Sequence, residues 1–186
     1  MRVLTVDSEK LKTLCGELER LVAQGGYVPD AVVSVATGGT HVGALMFPDV
    51  PHFEALCQRP LTPRKENGAL RKVLRKMPYW VLDALRILES LGYRLSPGGR
   101  QPEVVLPEME EARRILVVDD AVDSGVTLKA VTDALAKRFP DAEIRSAVLT
   151  VTTPKPVQSS LFHCSTVPLF HNGTLMRFPW SSDYKQ

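Results

Sequence analysis

The sequence predicts an α/β protein with a mainly parallel central sheet flanked by helices and a helical insertion at about 60–103. Three observations carry that prediction. Short, mainly apolar runs rich in β-branched residues at 31–36 and 114–118 have the pattern of strands buried on both faces. Amphipathic helical stretches alternate with such runs, the order of a β-α-β chain. Glycine- and aspartate-bearing turns follow both runs at once, as strand-to-helix connections require.

Taken in order, residues 8–24 place Leu11, Leu14, Leu18, Leu21 and Val22 at helical spacing, with Ser8 as the expected N-cap and Gly25-Gly26 as the stop. The strand at 31–36 leads into Thr37-Gly38-Gly39-Thr40, after which 41–46 opens a helix, and 52–58 forms a second strand. Residues 68–92 are helical with a break at Pro78, and 95–103 read as a loop. The strand at 114–118 ends in Asp119 and Asp120. After the turn at 119–127 a helix runs to about Arg138, with Leu128, Val131, Leu135 and Ala136 on its apolar face. Further strands are expected at 144–151, near 165–169 and near 174–178. Neither repeat nor linker divides the chain, so one domain is expected over 1–186.

Composition narrows the function classes. At 44% apolar and 24% charged residues the chain is neither disordered nor collagenous. Lys and Arg total 23 against 21 Asp and Glu, and the resulting net charge of +2 does not mark a nucleic-acid binder. Cys15, Cys57 and Cys164 are odd in number and far apart, which fits buried reduced thiols rather than a disulfide framework. The N-terminus lacks a signal-peptide layout, and no run approaches about 20 apolar residues, so the cytoplasm is the expected compartment. The four histidines, His41, His52, His163 and His171, show no zinc spacing; His41 lies near enough to the Gly-Gly turn to reach a ligand or simply to open a helix.

The chemistry concentrates after two buried strands, at Thr37-Gly38-Gly39-Thr40 and at 119–127, where open α/β sheets place their ligands. Ser124, Gly125, Val126 and Thr127 form a turn into a helix start, whose free N–H groups and dipole suit a phosphate. Walker A and dinucleotide-binding spacings are both absent, which removes the common ATPase and dehydrogenase readings. Asp119 and Asp120 beside a phosphate cradle suit hydroxyl groups or a magnesium ion next to that phosphate. Asp123 is placed to exchange a proton with a group above the sugar. Such acids can also merely end a strand and cap a helix, but an apolar run, three spaced acids and Ser-Gly-x-Thr together favour function.

The segment 117–128 resembles the phosphoribosyl-diphosphate (PRPP) signature of type I phosphoribosyltransferases, and Thr37-Gly38-Gly39 resembles that family's pyrophosphate loop. The resemblance covers about 31–58 and 112–180. It is closest to the 6-oxopurine (xanthine-guanine and hypoxanthine) enzymes, through Asp123, Lys155-Pro156 and the C-terminal stretch 174–180 ending in Pro179-Trp180. It implies the type I phosphoribosyltransferase fold and transfer of 5-phosphoribosyl from PRPP to a nitrogenous base, with Mg2+ as cofactor. By the same resemblance, Thr37, Gly38 and Gly39 would meet pyrophosphate, and Asp119 and Asp120 the ribose, with Asp120 contacting the metal. Ser124, Gly125, Val126 and Thr127 would hold the 5′-phosphate, and Asp123 would manage the purine N7 proton. Lys155, Leu175 and Met176 would form the base site. A homodimer or homotetramer is implied as well.

Three positions depart from the family pattern. Thr37 stands where 6-oxopurine enzymes carry Arg or Lys, Leu175 where an aromatic ring stacks on the purine, and Ser181-Ser182 where an acid follows the tryptophan. The Thr37 and Leu175 departures motivate one alternative, a PRPP-sensing regulator without turnover; a transferase for an unusual acceptor is another. The tract 59–76 carries Arg59, Arg64, Lys65, Arg71, Lys72, Arg75 and Lys76 against Glu66 alone. A hood over the crevice or a subunit interface is the favoured reading of the insertion. Contact with nucleic acid or an anionic membrane, and steering of a polyanionic substrate, are the others.

Overall fold

The computed structural model describes residues 2–58, 77–79, 81–84, 102–123, 125–152, 165–170 and 174–184. Its elements are β1 (Arg2–Thr5), α1 (Ser8–Gln24), β2 (Ala31–Val35), α2 (Gly38–Gly43), β3 (His52–Gln58), β4 (Glu103–Val105), β5 (Arg114–Val122), α3 (Val126–Arg138), β6 (Glu143–Val151), β7 (Ser165–Phe170) and β8 (Thr174–Arg177). Among the described residues these form a six-stranded sheet in the order β4-β3-β2-β5-β6-β7, and a separate pair, β1 with β8. All pairings are parallel except β3 with β4. The predicted α/β architecture is therefore present.

The central strands carry apolar residues on both faces because both faces are covered. Leu116 and Val118 of β5 pack with Leu11, Leu14, Leu18 and Val22 of α1, while Ile115 and Val117 pack with Leu128, Val131 and Leu135 of α3. Alternate residues of one strand thus serve two core layers, as the two-residue strand period dictates. The direction of travel along the sheet reverses between the neighbours β2 and β5, the former leading to β3 and the latter to β6. Their carboxyl ends meet at that switch point, where open α/β sheets place their ligands.

Several boundaries differ from those the sequence predicts. Asp7, not Ser8, caps α1, its carboxylate accepting from the Lys10 amide at 2.8 Å. Helix α2 starts at Gly38 rather than His41. Asp119 and Asp120 lie inside β5, which continues to Val122 because β6 pairs with it that far, Val151 opposite Val122. Glu103–Val105 is a strand that begins in the last residue of the expected 95–103 loop, since it satisfies the open edge of β3 in antiparallel register. Of the expected insertion, Tyr79 and residues 81–84 are helical. Residues 59–76, 80 and 85–101, with the whole basic tract, lie outside the described residues. Cys15 is buried as expected, Cys57 is partly exposed, and Cys164 is outside the described residues. Among the described residues no helix is long and apolar enough to cross a membrane.

Candidate active site

Close packing at the crevice explains the Gly38-Gly39 pair. A Cβ on Gly38 would fall within the Asp120 carboxylate, and one on Gly39 would come within 2.5 Å of the Val118 carbonyl oxygen. The turn after β2 is therefore pressed onto β5, leaving no room for a side chain at Gly39 and room at Gly38 only if the Asp120 carboxylate moves. The peptide joining Ala36 to Thr37 is cis. Thr37 is exposed, whereas Gly39 is buried beneath it.

Asp119 and Asp120 come from adjacent positions of β5 and are held in place locally. The Asp120 amide donates to Asp119 Oδ1 at 2.9 Å, and the Trp180 indole Nε1 donates to Asp120 Oδ2 at 2.9 Å. Burial pushes the Asp119 carboxyl well above the usual carboxylate range, with the neighbouring Asp120 charge adding to it. Burial also raises Asp120, against the opposing pull of its hydrogen bonds from Trp180 and the backbone. Among the described residues neither acid forms an ion pair with Lys or Arg. Two hard oxygen donors without a compensating cation suit a divalent metal. No three His, Cys, Asp or Glu side chains among the described residues converge to hold one unaided. That donor set fits Mg2+, which commonly takes one or two carboxylates and completes its shell from substrate phosphate and water.

Asp123 is exposed just past β5, and Thr152, just past β6, donates its hydroxyl to Asp123 Oδ1 at 2.6 Å. Gly125 then turns the chain with φ of 79°, a left-handed conformation that favours glycine, and caps α3. Val126 and Thr127 occupy the first turn of α3, so their backbone lies at the positive end of the helix dipole. Ser124 and Lys155 lie outside the described residues.

The expected base-site residues Leu175 and Met176 sit side by side on β8, both buried. Met176 packs into the α1-side core with Val6 and Phe178. The following residue, Arg177, is fully buried; its guanidinium donates to Asp183 at 2.9 Å, Thr5 at 3.1 Å and Asp83 at 2.5 Å, and lies over the Tyr79 ring. The segment at 79–84 and the C-terminal tail are thereby tied to β8. A groove lined by Asp30, Phe53, Glu108 and Arg138 lies at the amino ends of the strands, away from all of these groups.

Three contributors are not evident in the sequence motifs: the Trp180 donor to Asp120, His41 stacked on Trp180 with ring centroids 4.4 Å apart, and Thr152 on Asp123. Trp180 is 60 residues from Asp120 and Thr152 is 29 from Asp123, separations over which no local pattern operates. The only available signal was position, since Trp180 ends the Pro-Trp stretch and Thr152 follows a strand parallel to β5.

Comparison with known proteins agrees with this geometry. Residues 84–179 match the phosphoribosyl transferase domain family, a span that includes the acid pair and the α3 turn but not the Gly38-Gly39 turn. A Halobacterium salinarum "HGPRTase-like protein" is 28% identical over 88 residues, 47% of this chain and 44% of that protein, so the match spans less than half of the curated relative. A hypothetical protein from Neisseria gonorrhoeae, solved with bound ppGpp, superposes with a TM-score of 0.63 at 16% identity, covering 97% of this chain and 89% of that one. The Helicobacter pylori xanthine-guanine-hypoxanthine phosphoribosyltransferase superposes with a TM-score of 0.61 at 22% identity, covering 96% and 94%. At these identities the superpositions show a shared fold. With the family match spanning more than half of its length, the chain belongs to the phosphoribosyl transferase domain family.

Proposed function

We propose that the chain transfers the 5-phosphoribosyl group of PRPP to a nitrogen of a 6-oxopurine base (guanine, xanthine or hypoxanthine), releasing pyrophosphate. The observation that carries this reading is the acid pair of buried Asp119 and half-buried Asp120, without a Lys or Arg partner among the described residues and set between the Gly38-Gly39 turn and the start of α3. A sugar carrying a phosphate on one side and a diphosphate on the other meets complementary groups in that order.

The roles proposed are those the family resemblance implies, and the placement of the described residues supports them. Backbone N–H groups of 125–127, with the Ser124 and Thr127 hydroxyls, hold the 5′-phosphate. Asp119 and Asp120 accept from the ribose hydroxyls, and Asp120 is the residue that would hold Mg2+. Bound magnesium would supply positive charge against the diphosphate and ease its departure. Thr37, Gly38 and Gly39 face that diphosphate through their backbone. The C1–oxygen bond breaks with its electron pair leaving on pyrophosphate, and a ring-nitrogen lone pair of the base forms the new bond to C1. Asp123, oriented by Thr152, takes the N7 proton of the purine as positive charge builds on the ring. Lys155 and Leu175 contribute the base site; Met176 points into the core, so its share falls to its backbone. A homodimer or homotetramer in the cytoplasm is part of the same reading.

The test is a thermal-shift and turnover panel of PRPP and magnesium against guanine, hypoxanthine, xanthine, adenine, orotate and uracil. Stabilisation by PRPP with pyrophosphate release on a 6-oxopurine, lost in Asp123→Ala, supports the proposal. Turnover on adenine, orotate or uracil alone overturns the base assignment. Stabilisation without turnover on any base replaces it with a PRPP-binding regulator or a transferase for another acceptor.

A further inference from the structure

We propose that Trp180 is the positioning residue for Asp120, fixing its carboxylate where the metal–diphosphate end of PRPP binds; this rests on the function proposed above. Asp120 is gripped from two sides. Gly38 presses on the carboxylate from the turn after β2, and the Trp180 indole donates to Oδ2 at 2.9 Å from the C-terminal tail. An indole N–H is a neutral donor. It orients the carboxylate without adding a counter-charge, so the negative charge stays available to a cation. A lysine or arginine there would compete with that cation.

Trp180 is itself held firmly. Its ring lies nearly parallel to Phe178, at 3° and 4.7 Å between centroids, and to His41 of α2, at 17° and 4.4 Å. A tight turn secures the stretch, the Phe178 amide donating to Ser181 Oγ at 3.0 Å and the Ser181 amide to the Phe178 carbonyl at 2.9 Å. The stacking surface of the indole is thus taken up by its own neighbours. Its polar edge is the part aimed at the site. A residue that merely walled the base pocket would present its face instead. Through His41, the same ring also joins the pyrophosphate-side helix to the tail, so one side chain sets the spacing between the diphosphate and base halves of the crevice.

The experiment uses the full chain and two variants. Trp180→Phe keeps a flat ring for the stack and removes the N–H. Titration calorimetry of PRPP with magnesium is expected to show donor affinity down about tenfold or more, the effect of losing a hydrogen bond to a charged group. The KM for the base should change less than about twofold on the same grounds. In Trp80→Phe, Trp180 is the sole tryptophan of the two in the chain, and its emission should shift when PRPP and magnesium are added. That readout survives even if Trp180→Phe fails to fold. Unchanged donor affinity in Trp180→Phe, a rise confined to the base KM, or no emission change in Trp80→Phe under saturating PRPP overturns the assignment and leaves the proposed function standing. Failure of the unaltered chain to bind PRPP with magnesium overturns both.

Discussion

Thr152 donates its hydroxyl to Asp123 Oδ1 at 2.6 Å, linking the residue after β6 to the residue after β5. Because β5 and β6 are paired along their length, this contact holds Asp123 at a fixed height above the sheet. Thr152→Val keeps the shape and removes the donor. We expect kcat for pyrophosphate release to fall about tenfold, in the range for a hydrogen bond to a charged group. Thr152→Ser should retain most of the activity. Equal turnover in Thr152→Val and the parent chain would refute the positioning role.

The two glycines of the turn after β2 should fail differently. At Gly39 a methyl group meets backbone, the Val118 oxygen at 2.5 Å, which cannot swing aside. Gly39→Ala is expected to lower stability by about 1–3 kcal/mol, the usual range for overpacking, in urea denaturation. At Gly38 the methyl meets the Asp120 side chain, which can rotate. Gly38→Ala should therefore unfold near the parent midpoint while losing PRPP binding, because the displaced carboxylate leaves its Trp180 partner.

The acid pair trades stability for charge. Burial raises both carboxyl groups of Asp119 and Asp120 in the folded chain above their ordinary values. The sign follows from linkage: a folded-state pKa above the unfolded one favours folding below the unfolded pKa, near 3.9, and that advantage is lost as pH rises through the folded value. Asp119→Asn should thus raise the melting temperature of the ligand-free chain at pH 7. A gain of about 1 kcal/mol would move it by roughly 2–4 °C. The gain should shrink as the pH approaches 4, and PRPP binding should be lost throughout. A melting difference that stays constant between pH 4 and 7 would contradict the burial argument.

Arg177 should behave as a structural clamp. Asp183 is buried with it, whereas the Asp83 side chain is 36% exposed. Arg177→Met takes from the buried Asp183 charge its guanidinium partner, at a cost of about 3–5 kcal/mol. Asp83→Asn removes a partly solvated partner and should cost about 1 kcal/mol or less. Urea midpoints for the two variants test that ranking.

The sequence by itself determined the strands at 31–36, 52–58, 114–118 and 144–151, the helices at 8–24 and after Gly125, and that glycine- and acid-bearing turns follow β2 and β5. Those features are local. An apolar run such as 114–118 reads as a two-face strand from its own composition, and Gly125 ahead of a helical pattern reads as a strand-to-helix turn. Tertiary structure alone decided how far β5 extends, since Asp119 to Val122 are strand because β6 lies beside them. It also decided the partners of the acids. Thr152 reaches Asp123 because β6 pairs in parallel with β5, and Trp180 reaches Asp120 because the tail after β8 folds onto the end of β5. The direction of Met176 into the core, and of Arg177 toward Asp83 and Asp183, follows from the pairing of β8 with β1. Contacts between segments far apart in the chain are set by packing, and the periodicity of either segment alone does not encode them.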